Sequence, residues 1–313
     1  MKRTYPFIFL LLLLSAAALT GCGKGAGQAQ LQEGKVNVVT SFYPLYDFAG
    51  KIGGDHANVI NLVPAGVEPH DWSPKSNDIR LMTKAEMLVY QGAGFEGWVD
   101  DFLQSLPKDS KVKVVETSKS VELMKDQEEA HSGSEEHGHE GVDPHAWLSP
   151  ANAKKMAGAI KDGFIQADPA HKADYEANFA ELSKKFDALD ASYRDSLSKV
   201  PRKEIVVSHD AFGYLCRDYG LTQKAIMGLS PDAEPTSQDM RMVNAFIKES
   251  GVKYIFFEEL VSDKTAKTLA KDAGIQTLVL NPLEGLTEEE VKAGKDYFGV
   301  METNLQNLLK ALQ

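Results

Sequence analysis

The chain has 313 residues, 43% of them hydrophobic and 25% charged, which is room for two ordinary domains of a globular protein. Its formal net charge of -11 speaks against nucleic acid as a partner, because phosphate binding needs clustered Lys and Arg. Beyond Cys22 the only cysteine is Cys216, so neither an internal disulfide nor a cysteine-based structural zinc site is expected, and Cys216 reads as a buried small hydrophobe.

Lys2 and Arg3 precede an apolar run from Phe7 to Leu19. That run is shorter than the ~20 residues of a membrane span and reads as the core of a targeting segment. Leu19-Thr20-Gly21-Cys22 follows at once. Small residues before a cysteine at this place resemble the lipobox of bacterial lipoproteins. The resemblance implies that residues 1–21 are a signal peptide and that Cys22 becomes the lipidated first residue, holding the protein to a membrane. Residues 22–35, rich in Gly and Gln, read as a flexible tether.

From Val36 onward strands and helices alternate. Val36–Thr40 predicts a strand, Pro44–Lys51 a helix ending near Gly53, and Val59–Val63 a second strand. Met87–Gln91 and Val112–Val115 are further short apolar runs on either side of a helical Phe95–Leu106. Ser149-Pro150 starts a helix with an N-cap and an early proline, and Asp168-Pro169 repeats the signal. From there to about Lys199 no Gly or Pro intervenes, and Tyr175, Phe179, Leu182, Phe186, Leu189, Tyr193 and Leu197 recur at spacings of three and four. One amphipathic helix of ~30 residues, ~45 Å long, is expected there. The alternation then restarts: Ile205–Ser208, Gln223–Met227, Tyr254–Phe257 and Thr277–Leu280 as strands, with helices at Ala211–Tyr219, Ser237–Ser250 and Lys264–Ala273 and a closing helix over Thr287–Leu312. The fold expected is α/β: two lobes, each a mostly parallel sheet with flanking helices, at 36–167 and 201–313, joined by a rigid linking helix at 168–200.

Four of the eight histidines fall between Glu128 and Pro150. His131, His137 and His139 stand among carboxylates and glycines in a stretch, 128–141, without apolar periodicity; an acidic, solvated loop with weak accessory metal binding is expected. His145 differs, because Asp143-Pro144-His145-Ala146-Trp147 fixes its backbone. Pro-His followed by an aromatic recurs at Pro69-His70-Asp71-Trp72, and His209 ends the strand Ile205–Ser208. Glu284 follows the last strand, in Asn281-Pro282-Leu283-Glu284-Gly285. In open α/β sheets ligands bind beyond the carboxyl ends of strands, where His70, His209 and Glu284 are expected. Singly, each histidine reads as a hydrogen-bonded loop residue; together they point to a metal. His56 and His171 read as surface residues. Three imidazoles form a borderline-soft, nitrogen-rich set suited to Zn²⁺.

Thr40-Ser41-Phe42-Tyr43-Pro44, Glu68-Pro69-His70-Asp71-Trp72, Asp143-Pro144-His145-Ala146-Trp147, Ser208-His209-Asp210-Ala211-Phe212 and Phe256-Phe257-Glu258-Glu259 together resemble the zinc-binding members of the metal-specific solute-binding lipoproteins that serve ABC importers. The resemblance covers essentially the whole chain after the tether. It implies two lobes with the metal between them, His70, His145 and His209 as ligands, an ABC transporter permease as partner, and a monomeric, non-enzymatic carrier lipid-anchored on the extracytoplasmic face of the bacterial membrane. Manganese- and iron-binding relatives place a carboxylate at the position of His209 and an aspartate near Asn281; this chain departs from both.

A tetrahedral zinc needs a fourth ligand. Glu68, Glu258, Glu259 and Glu284 are candidates, with water as the alternative. Glu284 is the expected ligand, Pro69 makes a joint approach of Glu68 and His70 awkward, and Glu258 and Glu259 are expected to orient His209 instead. The competing readings are a manganese carrier of the same family, a secreted zinc hydrolase, and an adhesin on the same fold. The hydrolase would need a general base beside a metal-bound water, and no His-Glu-x-x-His motif is present.

Overall fold

Val36–Thr40 (β1), Ala57–Asn61 (β2), Met87–Tyr90 (β3) and Lys113–Glu116 (β4) form the first sheet, in the order β2-β1-β3-β4 with every pair parallel. A short antiparallel pair, Met124–Lys125 (β5) with Val142–Asp143 (β6), follows. Glu204–Val207 (β7), Thr222–Ala225 (β8), Tyr254–Phe257 (β9) and Gln276–Val279 (β10) form the second sheet, in the order β10-β9-β7-β8 and again all parallel. In this computed structural model residues 29–125, 141–231 and 235–313 are described, and the folded body spans Leu31–Gln313. The leader, Cys22, His131, His137 and His139 lie outside the described residues.

The two sheets share one topology. In each, the first strand lies between the second and the third, and the fourth pairs outside the third. Such an order leaves a crevice at the carboxyl ends, between β1 and β3 in one lobe and between β7 and β9 in the other. The central strand β1 is buried at all five positions, as a parallel strand covered by helices on both faces must be.

The first lobe's helices are Tyr43–Gly53 (α1), Ser76–Lys84 (α2), Val99–Ser105 (α3) and Pro150–Ala167 (α4). Lys172–Leu197 (α5) is the linking helix, and Gly213–Tyr219 (α6), Ser237–Ser250 (α7), Lys264–Ala273 (α8), Glu288–Lys292 (α9) and Tyr297–Ala311 (α10) belong to the second lobe. Helix α5 buries Tyr175, Leu182, Phe186, Leu189, Tyr193 and Leu197, six of the seven residues of the stripe that the sequence periodicity predicts, with Phe179 half-buried. Phe186 shows how this stripe joins the lobes. Its ring meets Phe48 of α1 at 5.2 Å and Tyr297 and Phe298 of α10 at 5.6 and 5.0 Å. Tyr193 adds a hydrogen bond, its hydroxyl donating to the Met301 carbonyl at 2.6 Å. One apolar core therefore runs from the first lobe through α5 into the second.

Several expectations differ from the structure. The linking helix begins at Lys172, because Pro169–His171 forms a separate 3-10 turn. Its 26 residues span ~39 Å rather than ~45 Å. The closing helix is two helices: α9 ends before Gly294, whose left-handed φ of 69° turns the chain, and Asp296 then caps α10 by accepting the Gly299 N–H at 2.9 Å. The helix expected from Phe95 begins only at Val99, because Glu96 folds inward to accept the backbone N–H groups of Gln91 and Gly92 at 2.7 and 2.9 Å. Helix α2 was not expected at all.

Candidate metal centre

Each of the four candidate residues follows a strand. His70 lies beyond β2, His145 directly beyond β6, His209 beyond β7 and Glu284 beyond β10. Two come from each lobe, and the structure brings all four together. Their donor atoms lie within 4.8 Å of one another, and His145, His209 and Glu284 are buried while His70 is partly so. One carboxylate oxygen lies close to all three imidazole nitrogens. Glu284 Oε1 is 3.2 Å from His70 Nε2, 3.2 Å from His145 Nε2 and 3.3 Å from His209 Nε2. His145 Nε2 and His209 Nε2 are 3.4 Å apart.

These spacings suit a particular ion. A tetrahedral metal bound at ~2.0–2.1 Å, as zinc is by imidazole and carboxylate, needs donors ~3.3–3.4 Å apart. Four of the six donor separations, at 3.2 to 3.4 Å, are close to the edges of that tetrahedron, and the remaining two, from His70 to each of the other histidines, lie within 4.8 Å. The residues present therefore fit a small tetrahedral cation, and the donor set of three nitrogens and one oxygen suits Zn²⁺ better than an ion preferring more oxygen ligands.

Carboxylates fix the imidazoles from behind. His145 Nδ1–H donates to Asp143 Oδ1 at 2.8 Å, and His209 Nδ1–H donates to Glu258 Oε1 at 2.7 Å. With the proton held on Nδ1, the lone pair of Nε2 points into the site. Asp143 also accepts the backbone N–H of His145 at 2.9 Å, and Glu68 accepts that of His70 at the same distance. The acid-Pro-His triplets are thus two copies of one turn, in which the acid ties down the backbone of the histidine two residues on. Gln91 completes the seat of His145 by donating from Nε2 to the Pro144 carbonyl at 2.7 Å. Neither Asp143 nor Gln91 was singled out from sequence; the repeated acid-Pro-His spacing was the available signal for Asp143.

One expectation is corrected. Glu259 does not orient His209; its carboxylate accepts from Asn281 Nδ2 at 2.9 Å, and Glu258 alone of the pair reaches the imidazole. Asn281 is a brace for the loop that carries Glu284. Its Oδ1 accepts the Leu283 N–H at 2.7 Å, and Asn304 donates to its carbonyl at 2.7 Å. Leu283 has a left-handed φ of 58°, a conformation costing ~1–3 kcal/mol in a residue with a side chain. The Asn281 bond holds that strained turn and so aims Glu284 inward. His56 and His171 lie elsewhere, stacked on each other at 3.8 Å.

Charge balance in the buried cluster follows from these contacts. Burial pushes the His145 imidazole down, but its bonds to Asp143 and Glu284 outweigh this and hold it above the ordinary histidine range. His209 is held well above that range, the Glu258 and Glu284 charges outweighing burial. Burial pushes Glu284 up, yet His209 and His70 outweigh it and hold the carboxyl well below the usual range. Burial and the nearby Glu284 charge push Glu68 up to about 8.

The family profile described as zinc-uptake complex component A, periplasmic (ZnuA), matches residues 38–311. The chain belongs to this family. Among its relatives, the zinc-binding lipoprotein AdcA of Streptococcus pneumoniae is 43% identical over 280 residues, covering 88% of this chain and 56% of AdcA. The chain thus spans little more than half the length of that relative. The high-affinity zinc uptake system protein ZnuA of Bacillus subtilis is 41% identical over 281 residues, covering 89% of this chain and 88% of the relative. The crystal structure of the Zn(II)-bound ZnuA-like domain of S. pneumoniae AdcA superposes with a TM-score of 0.77 at 40% identity, covering 89% of this chain and 99% of that domain.

Proposed function

We propose that this chain captures Zn²⁺ outside the cytoplasm and hands it to the permease of an ABC importer, with His70, His145, His209 and Glu284 as the four ligands. The observation that carries this reading is the spacing of the donors: three imidazole nitrogens lie 3.2 to 3.3 Å from one buried carboxylate oxygen, close to a tetrahedral edge. Family membership and the printed descriptions of the relatives as zinc-binding and zinc-uptake proteins support it. The lipobox resemblance at Cys22, together with the name of AdcA as a lipoprotein, supports a lipid-anchored chain on the outer face of the membrane.

A carrier fits this site better than a hydrolase does. Catalytic zinc keeps one position open for water, whereas four protein donors close the coordination sphere. Ligands from two lobes also suit a cargo that must be released, because loss of either pair leaves a half-site. His70 keeps 10% of its side chain accessible while His145 and His209 are fully buried, so the metal approaches on the His70 side.

Native mass spectrometry of the purified protein, offered an equimolar mixture of zinc and manganese, tests the reading. One zinc per chain is expected at the buried site, and it is lost from His145→Ala and His209→Ala. Manganese in its place, or unchanged zinc in both variants, would refute the assignment.

A further inference from the structure

Tyr214 crosses from the second lobe into the first. It is fully buried at the start of α6. Its hydroxyl donates to the main-chain carbonyl of Asp143 at 2.7 Å and accepts the backbone N–H of Met124 at 2.9 Å. One phenol therefore grips both strands of the β5-β6 pair, since Met124 and Asp143 are also partners in that ladder. Gly213 beside it has a separate role. A Cβ placed there would stand 2.6 Å from Asp143 Oδ2, so the absence of a side chain is what lets the Asp143 carboxylate lie against α6. The other oxygen of that carboxylate accepts both the backbone N–H and the Nδ1–H of His145.

We infer that Gly213 and Tyr214 are positioning residues for His145: the first lobe's buried imidazole is aimed by the second lobe, through Asp143. Tyr214 sets the height of the Asp143 backbone and Gly213 leaves room for its carboxylate. Asp143 in turn fixes the tautomer and rotation of the ring. The consequence is a coupling. Any separation of α6 from the β5-β6 pair releases the Asp143 backbone and with it the aim of His145 Nε2, so docking of the lobes and the geometry of the site are set by the same contacts. The inference deepens the zinc reading and rests on it for its functional meaning. The positioning itself concerns the metal-free protein.

The test uses protein labelled with ¹⁵N in histidine. Metal-free wild type, at a pH where its buried imidazoles are neutral, is expected to show a protected Nδ1–H for His145, identified by its loss in His145→Ala. Tyr214→Phe keeps the ring and removes both hydrogen bonds; the His145 Nδ1–H should exchange faster and its two nitrogens should average. Gly213→Ala should do the same by displacing Asp143. Outer contacts of this kind change metal affinity by ~10–100-fold, and a drop of about tenfold in zinc affinity is expected for Tyr214→Phe, with altered visible absorption of the Co²⁺ form. Cys216→Ala, a buried change further along the same helix, should leave the His145 signal and the Co²⁺ spectrum as in wild type. The inference is overturned if Tyr214→Phe retains the wild-type His145 signal and zinc affinity, or if Cys216→Ala reproduces its effects. Should Gly213→Ala fail to fold, Tyr214→Phe decides alone. If wild type takes up no zinc while Tyr214→Phe still frees His145, the zinc reading falls and the positioning role stands.

Discussion

Glu258 accepts the Nδ1–H of His209 at 2.7 Å, and both side chains are buried. The carboxylate leaves the imidazole one orientation and one tautomer, with Nε2 turned toward Glu284. Glu258→Ala should therefore weaken zinc binding by ~10–100-fold, the range seen when such supporting groups are removed. Glu259→Ala is the comparison, because that side chain reaches the Asn281 brace of the Glu284 loop and not the imidazole, and its loss of affinity should be the smaller. Competition titration with a chromophoric chelator separates the two. Equal losses in both variants would show that the effect is general loosening of the loop after β9.

Glu284 is the only carboxylate among the four proposed ligands, and its second oxygen is buried with no hydrogen-bond partner among the described residues. Glu284→Ala should leave zinc held by three imidazoles, more weakly and with water at the vacant vertex. Glu284→Gln should bind more weakly than wild type as well, since the amide is neutral. A structure of the zinc-bound protein checks the claim directly. A Glu284 carboxylate well beyond ~2.2 Å from the ion would remove it from the ligand set.

Zinc binding should weaken as pH falls. His145 and His209 hold their protons above the ordinary range, because Asp143, Glu258 and Glu284 outweigh the effect of burial. Zinc requires both imidazoles neutral, so it must displace those protons. The raised pKa values carry this competition to higher pH than the ~6.5 of an unperturbed histidine. Glu284 is held low and stays ionised, so it adds no competing proton in that window. Calorimetry in buffers of different ionisation heat should record net proton release on zinc binding near pH 7. Unchanged affinity between pH 7.5 and pH 5 would contradict a three-imidazole site.

Much of the fold is legible because parallel strands are short apolar runs that stand out between amphipathic helices. Helix α2 escapes such a reading because it buries only Leu81 and Met82, too few positions to show a period. The break before α10 escapes it for the opposite reason. Apolar residues continue on both sides of Gly294, and only the local conformation of that glycine and the Asp296 cap separate the helices. In the candidate site, His70, His145 and His209 are visible as histidines beside prolines and strand ends. Asp143 is legible only through the repeat of acid-Pro-His at Glu68 and Asp143, because a single acid bonded to the residue two positions on resembles any loop carboxylate. Glu258 and Glu259 could have been told apart: neighbours at a strand end point to opposite faces, so one of them alone can reach His209.

The indole of Trp147 supplies a last prediction. Its Nε1–H donates to the Pro282 carbonyl at 2.8 Å, and its own carbonyl accepts the Tyr297 hydroxyl at 2.7 Å. The ring packs against Phe42 at 4.7 Å and His145 at 5.2 Å. Trp147 thus ties a first-lobe ligand to the loop that carries Glu284. Trp147→Phe preserves most of the apolar contact but leaves the buried Pro282 carbonyl without its donor, a loss of ~1–3 kcal/mol. In a folded body of this size each kcal/mol lowers the melting temperature by roughly 2–4 °C, so a drop of at least about 2 °C is expected in the metal-free protein. Zinc stabilises the folded form in proportion to the logarithm of its affinity. If the indole bond also helps to aim Glu284, the rise in melting temperature on adding zinc should be smaller in Trp147→Phe than in wild type. Differential scanning calorimetry with and without zinc measures both. An equal zinc-induced rise in the two proteins would confine Trp147 to holding the lobes together and remove it from any part in binding the metal.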